Sequence, residues 1–396
     1  MSCDLSVIVL TYNGKKYLDA LFASFSAAAV SGFTWEIVLV DNASTDGTAE
    51  YVREHLEPRF PNLRYIYSQD NTGFAGGNNL GARKARGEYI LFLNNDTAIT
   101  PNFLQNMLGC IRKTNAGIVG GKLVFYYDFI PVDVIPHGGG LTLTSRIGIN
   151  DESWPVDAKF VQHIAHRGEL LYIREPGRLY VPLLQGPGAY TFTWDITEGG
   201  GTVVCGGHKM SADRGKVILT AAECERHSVT LIQNAGTAVN EEYNGYDIGF
   251  CEEDHGQYDA PRELEAACGA AMIMRRDVFL TAGGFDDTFF MYYEDVDLSY
   301  RVRAMGHRIR FCPEALVRHI HTGSSQEWSP FFMYYVYRNR LLFILKNFSR
   351  KDYRRERKQY IREVWHAWRT RRFRKPKTKA LLSVLRLQWA YRGGKR

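Results

Sequence analysis

The sequence contains no run approaching the roughly 18 consecutive apolar residues that a membrane-spanning helix requires. Its N-terminus lacks the basic-then-apolar layout of a secretory signal, so the chain is expected in the cytoplasm. Seven cysteines (Cys3, Cys110, Cys205, Cys224, Cys251, Cys268, Cys312) include no C-x-x-C pair, which argues against a zinc site and against a disulfide framework. The phosphate loop G-x-x-x-x-G-K-[ST] is missing, and where a dinucleotide fingerprint would follow the first predicted strand the chain reads TYNGKKY. Acids are scarce in one place only: residues 331–396 hold 21 Lys or Arg against three acids, a balance of +18. The first 330 residues carry 28 bases and 40 acids, so body and tail are expected to face different partners.

What is present is a globular composition, 45% hydrophobic and 23% charged over 396 residues, enough for two domains or for one large domain with an insertion. The most informative stretch is 88–96 (EYILFLNND), where five apolar residues end abruptly in two amides and a carboxylate. Such a run fits a central strand covered on both faces. Ligands of open α/β sheets bind beyond the carboxyl ends of the strands. Residues 5–12, 35–42 and 63–68 read as further strands separated by helical patterns, and the crossovers predict parallel pairing. Ser44, Thr45 and Asp46 offer N-caps for a helix running to about residue 57, and Thr100 with Pro101 for the helix after Asp96. Polar residues follow every strand: Thr11 and Asn13, Asp41 and Asn42, Asp70 and Asn71, then Asn94, Asn95 and Asp96. One alone is a turn former or a cap. Four sets at neighbouring strand ends predict a lined crevice. The turn 71–79 (NTGFAGGNN) is either a positive-φ turn or a place where backbone NH groups approach a phosphate.

Between about 126 and 230 the helical periodicity stops, and short apolar runs separated by Gly, Pro and Asp predict an all-β insertion. Tyr180, Tyr190, Phe192 and Trp194 are expected to pack in its core. From 267 to 325 the pattern becomes strand, short helix, aromatic turn, helix from about Glu294, and final strand. Asp297 is spaced to pair with Arg301, and acids in a first turn complement the helix dipole. Glu294 and Asp295 follow five consecutive aromatic or apolar residues, a setting that raises a carboxyl pKa toward the range of a general base.

The segments SVIVLTYNG, VDNASTDGT, NTGFAGGNN, LFLNNDT, DHGQYD, CGAAMIMRRDVF and GGFDDTFFMYYEDVDLSYRVRAMG together resemble family 2 inverting glycosyltransferases, within them the rhamnosyltransferase-like branch. The likeness covers roughly residues 5–126 and 231–345. It implies an α/β, Rossmann-like GT-A fold with a mostly parallel sheet, a nucleotide-diphosphate sugar donor and a divalent metal, Mg²⁺ or Mn²⁺. Donor contacts are implied for Thr11, Asn13, Asp41, Ser44, Asp46, Asn71, Gly76, Gly77, Asn78, Asn79, Asn94 and Asn95. Asp96 stands at the metal-binding carboxylate of the D-x-D motif, whose first position is here Asn94, as is common in that branch. A histidine after the last strand, His319 or His321, is implied as a second ligand, and the P-x-A-x-V-x-H spacing favours His319. Asp295 is the implied base, with Glu294 the alternative in the same pair.

The expected organisation is a donor half (1–126), the β insertion (127–230), an acceptor and catalytic half (231–330) and a basic helical tail (331–396). The acceptor is expected to be a hydroxyl of a growing, lipid-linked, cell-surface glycan, and the tail to lie on the anionic inner face of the cell membrane. Specific nucleic-acid binding is not expected, and the bland reading of the tail is a helical subdomain with a solvated basic face. A non-catalytic binding protein on the same scaffold is disfavoured by the retained acids near 295. A sugar nucleotidyltransferase is disfavoured because no Gly-rich basic loop follows Thr11.

Overall fold

The computed structural model describes residues 3–184, 186, 188–320 and 328–393. The chain divides into two compact units, one formed by Met1–Val124, Asn234–Gly249 and Gln257–Arg396, the other by Phe125–Gln233 and Phe250–Gly256.

The first unit is built on strands that are apolar on both faces. Strands β1 (Cys3–Thr11), β2 (Trp35–Asp41), β3 (Leu63–Tyr67) and β4 (Gly87–Asn94) run parallel, with Val7 beside Ile37 on one side and Leu91 on the other. Crossover helices α1 (Lys15–Ser26) and α2 (Gly73–Lys84) return the chain between them. Beyond β4 the sheet becomes mixed. After the short β5 (Thr97–Ile99), helix α3 (Phe103–Thr114) and β6 (Ile118–Phe125), strand β7 (Ala271–Arg275) pairs antiparallel with both β4 and β6. The last strand, β8 (Ile309–His319), pairs antiparallel with β5, giving the order β3-β2-β1-β4-β7-β6-β8-β5. The four N-terminal strands are parallel, whereas β7 runs antiparallel to both its neighbours and β5 to β8. Strand β7 enters after the inserted unit.

Leu18, Phe22 and Phe25 of α1 and Phe103, Met107 and Ile111 of α3 bury against Val7, Leu39 and Leu91. Helix α2 approaches more closely: a Cβ at Gly77 would stand 2.3 Å from Leu10 Cδ1, and one at Gly81 2.6 Å from Ile8 Cγ2. Two caps differ from expectation. Thr100 Oγ1 donates to the Leu316 carbonyl (2.8 Å), so α3 starts two residues later, after Asn102. The helix between β2 and β3 (Thr48–Tyr51, continuing through Val52–Leu56) begins after Gly47, because Asp46 is committed to the Lys15 and Thr48 amides (3.0 and 3.2 Å).

The tail folds as three helices, α5 (Pro330–Asn347), α6 (Arg350–Thr370) and α7 (Arg374–Gly393), which follow α4 (Glu294–Ala304). Ser329 and Ser349 cap α5 and α6 by accepting from the Phe332 and Asp352 amides, 3.1 Å each. Leu341, Ile344, Tyr353, Tyr360, Ala380 and Val384 form their own core, and a buried Arg340–Glu356 pair (2.9 Å) crosses it. No helix of the described residues is long and apolar enough to cross a membrane.

The second unit is antiparallel β. Phe129–Thr144 pairs with Ile196–Cys205, Gly177–Pro182 and Leu170–Ile173, and a smaller sheet joins Lys216–Leu219, Tyr190–Thr193, Arg146–Ile149 and Glu152–Pro155. Tyr180, Tyr190, Phe192 and Trp194 are all buried within it.

A polar lock joins α4 to α5. Asp297, fully buried, accepts from Arg301 Nε (2.8 Å), Lys346 Nζ (2.8 Å) and Asn347 Nδ2 (2.9 Å). Lys346 also reaches Asp286 (2.6 Å), which accepts from Tyr391 Oη at 2.7 Å. Burial opposes ionisation of Asp286, but the Lys346 ammonium and the hydroxyls of Thr288 and Tyr391 carry its carboxyl down to about 2. An unfolded aspartate titrates near 3.9. A depressed folded value means that the contribution is complete above that pH and is lost as pH falls toward 2. Asp286→Asn should therefore lower the free energy of urea unfolding by about 1–2 kcal/mol at pH 7. The deficit should shrink between pH 4.5 and pH 3, and a deficit constant over that range would show that Asp286 is not ionised in the folded state.

Candidate functional site

The ends of β1 and β2 are knitted together by their own polar residues. Asp41 accepts from the Ser44 amide (2.8 Å) and the Tyr65 hydroxyl (2.7 Å). Asn13, at φ 49°, donates its amide to Ser44 Oγ (2.9 Å) and accepts from the Thr45 amide (2.8 Å). Thr11 accepts from Asn95 Nδ2 (2.9 Å), joining β1 to the end of β4. Asn42, buried, donates to Asn71 Oδ1 (2.9 Å) and the Gly73 carbonyl (3.1 Å) while accepting from the Thr72 amide (3.0 Å). These bonds fix the loops that carry the strand-end residues.

Beyond the strand ends lies a cavity of about 450 Å³, in the size range of small-molecule sites. Asn42, Asn71, Asn94, Asn95 and Asp96 supply polar wall, and Leu10, Tyr12, Phe74, Phe290 and Phe331 apolar wall. Asp96 is 6% exposed, and its Oδ1 stands 3.1 Å from His319 Nε2. The same nitrogen lies 3.2 Å from Asn94 Nδ2. The pairing of β5 with β8, His319 beside Thr97, brings the histidine there across 223 residues. A proton on Nε2, or a cation, is what lets carboxylate and imidazole share that point. His321 lies outside the described residues, and among the described residues no cluster of three His, Cys, Asp or Glu forms a metal cage. Two convergent ligands at a cavity wall do fit Mg²⁺ or Mn²⁺, which take one or two protein ligands together with substrate phosphates.

Only the first part of the Gly-rich segment, Asn71, Gly73 and Phe74, lines the cavity. Gly76 abuts Thr72, Gly77 abuts Leu10, Asn78 donates to the Phe74 carbonyl (3.0 Å), and Asn79 exchanges hydrogen bonds with the Phe285 backbone (2.8 and 3.0 Å). All four lie inside α2, away from the cavity wall, and pack the helix onto β1 and the 285–287 loop. Of the glycines in the segment, Gly73 lines the cavity, at φ 72°, with a Cβ position 2.4 Å from the Phe290 carbonyl oxygen.

The aromatic turn that precedes α4 is strained. Phe290, Tyr292 and Tyr293 all have positive φ (65°, 70° and 71°). Asn339 Nδ2, from α5, reaches the carbonyls of Phe289, Met291 and Tyr292 at 2.8, 2.7 and 2.8 Å. On the other side the Phe290 carbonyl accepts from the Ala75 amide (3.2 Å). The turn delivers two acids in different states. Glu294 is 5% exposed, its Oε2 has no partner among the described residues, and burial, with Asp295 adjacent, drives its pKa well up. Asp295 is half-buried; burial raises its pKa, opposed by the amides of Gly269 and Val296, each 2.8 Å from a carboxylate oxygen. It stands behind Phe74, with Gly269 between: a Cβ there would be 3.1 Å from Phe74 Cζ and 3.4 Å from Asp295 Cβ.

Asp247, which sequence reasoning did not single out, lies near enough to Asp295 and His319 to feel their charges. Asn234 Nδ2 donates to it at 2.5 Å, Thr237 Oγ1 lies at 3.4 Å, and burial, with the Asp295 charge nearby, raises its carboxyl to about 6. His319 is close enough to oppose that rise. Only the pairing of Thr237–Val239 with Gly245–Asp247 places this lone aspartate, so no local pattern announces it.

The profile of "Glycosyl transferase family 2" matches residues 6–150, and that of "Glycosyltransferase like family 2" matches residues 222–338. The chain carries family 2 glycosyltransferase domains. The first match holds every strand-end residue through Asp96, the second Asp247, Glu294, Asp295 and His319. Among similar proteins, Glycosyltransferase AglE of Haloferax volcanii is 26% identical over 34% of this chain and 41% of its own length. Poly(ribitol-phosphate) beta-N-acetylglucosaminyltransferase TarS of Staphylococcus aureus is 30% identical over 29% and 20%. The putative teichuronic acid biosynthesis glycosyltransferase TuaG of Bacillus subtilis is 27% identical over 34% and 52%. The chain thus spans between a fifth and about half of the length of these relatives. A crystal structure of GalNAc-T7 with UDP, GalNAc and Mn²⁺ superposes with a TM-score of 0.50 over 85% of this chain and 47% of that one, at 14% identity. The family 2 domains accordingly have a GT-A-like fold, an α/β architecture with a mixed sheet.

Proposed function

We propose that this chain is an inverting, metal-assisted glycosyltransferase that moves a sugar, with rhamnose the first candidate, from a nucleotide-diphosphate donor to a hydroxyl of a growing, lipid-linked cell-surface glycan. The observation that carries the reading is the buried Asp96–His319 pair, 3.1 Å apart, at the wall of a cavity beyond the carboxyl ends of parallel strands. Asp96 and His319 would hold Mg²⁺ or Mn²⁺, which when bound neutralises the leaving diphosphate. Asn71 and Asn94 offer amides to the donor, Asn42 holds the Asn71–Gly73 loop in place, and Tyr12, Phe74 and Phe290 exclude water. Asp295 takes the proton of the attacking hydroxyl, through lone pairs not engaged by the Gly269 and Val296 amides. Glu294, whose apolar setting raises its pKa, would add less competing charge than an exposed acid.

The tail supports work at a membrane surface. Ile361, Trp365 and Trp368 recur at i, i+4 and i+7 on α6 and are exposed, the two tryptophans by 62% and 51%. Arg369 stands over the Trp365 ring and Arg374 over the Trp368 ring. Exposed aromatics flanked by cations suit the headgroup layer of an anionic membrane, and we place the enzyme on the inner face of the cell membrane.

Each element of this reading has its measurement. Titration with a nucleoside diphosphate should show affinity that rises with Mn²⁺ for the native chain but not for Asp96→Ala; equal metal dependence in both would remove Asp96 from the metal site. Asp295→Asn should keep nucleotide binding and lose roughly 10²- to 10⁴-fold in transfer rate. A folded Asp295→Asn protein that transfers at above about a tenth of the native rate would exclude it as the base. Trp365→Ser with Trp368→Ser should reduce co-sedimentation with anionic vesicles at unchanged melting temperature, and unchanged sedimentation would refute the membrane role of α6.

A further inference from the structure

A second hollow is larger than the cavity beyond the strand ends. It is a groove of about 880 Å³ along α5 and α7. Its floor is apolar, made by Phe331 and Tyr334 of α5 and Pro376, Leu382 and Leu387 of α7. Its rim carries Lys375, Lys379 and Arg386, all exposed, and none makes an ion pair with a described acid. Most other cations of the helical tail that approach the core are matched: Arg340 with Glu356, Lys346 with Asp286 and Asp297, Lys377 with Glu363. Three unmatched positive charges along one apolar trough suit a molecule with an anionic head and a hydrocarbon body. An inorganic anion would leave the floor uncovered, and a neutral chain would leave the cations unused.

The groove and the nucleotide cavity meet at one residue. Phe331 lines both, and its ring packs on Tyr335 (4.7 Å between centroids), which stacks in turn on Phe290 of the cavity wall (5.1 Å). An occupant of the groove that reaches Phe331 would therefore adjoin the cavity in which transfer is proposed.

We propose that the groove between α5 and α7 binds the lipid-phosphate end of the acceptor, with Lys375, Lys379 and Arg386 on the phosphate and Phe331, Tyr334, Leu382 and Leu387 along the hydrocarbon chain. This rests on the glycosyl-transfer reading for its purpose but not for its test. Farnesyl phosphate, a soluble lipid phosphate, is titrated into the full chain without nucleotide, and inorganic phosphate serves as the comparison. The native protein should bind the lipid phosphate saturably and at least tenfold more tightly than inorganic phosphate. Lys379→Glu and Leu382→Glu, both at exposed positions and checked for an unchanged melting temperature, should each weaken it by tenfold or more. Asp96→Ala should bind it as the native chain does, so that failure of the nucleotide site and failure of the groove are read separately. Equal affinity for inorganic and lipid phosphate, or native affinity in both groove variants, would overturn the proposal. So would variants that lose anionic vesicles while keeping farnesyl phosphate, since the basic rim would then serve a membrane surface alone.

Discussion

One amide holds the site together. Asn339 Nδ2 lies under a turn in which Phe290, Tyr292 and Tyr293 adopt a backbone region that non-glycine side chains disfavour, at roughly 1–3 kcal/mol each. Hydrogen bonds of about 1 kcal/mol apiece do not offset that cost alone. The remainder comes from packing: Phe289, Leu342 and Phe343 are fully buried around the turn, and Gly73 lets the Phe290 carbonyl reach α2. The turn is thus clamped between α2 and α5, and α4 leaves it in only one direction. That direction sets Asp295 behind Phe74.

Three acids in the first turn of α4 meet three different fates, each set by what surrounds the carboxyl. Asp297 is fully buried yet satisfied, because Arg301, Lys346 and Asn347 all converge on it. Glu294 is nearly as buried with no counter-charge beside it, so burial drives its pKa well up. Asp295 receives two backbone amides, enough to support a carboxylate while burial keeps its proton affinity raised. Helix-dipole complementarity, common to all three, does not distinguish them. Desolvation and specific partners do.

Much of this was legible in the chain. Strands such as 89–93 are continuous apolar runs because both faces are covered, and their polar ends lie beyond the sheet because a strand that stops must expose its terminal groups. The i,i+4 spacing of Asp297 and Arg301 likewise gave a real contact. What was not legible depends on distance along the chain. The glycines of 71–79 suggested a ligand-facing turn, but which side of α2 meets β1 is decided by Leu10 and Ile8, and of those glycines only Gly73 lines the cavity. Thr100 looked like a cap until the Leu316 carbonyl, 216 residues away, claimed its hydroxyl. Asp247 could not be singled out without the hairpin that carries it, and the tail's charge pattern did not disclose that Lys346 would be spent on Asp286 and Asp297.

The position of β7 in the sheet has a consequence for how the molecule is made. Strand β4 is synthesised early, but its partner on one side, β7, emerges only after the whole inserted unit has been translated. Until then β4 presents an unpaired edge of Ile90, Leu91, Phe92 and Leu93, the kind of edge that recruits other chains. The clamp at Asn339 and the Lys346 lock arrive later still. A nascent chain therefore carries a nearly complete parallel half-sheet with no working site, so any factor that shields that edge during synthesis governs yield independently of the stability of the finished fold.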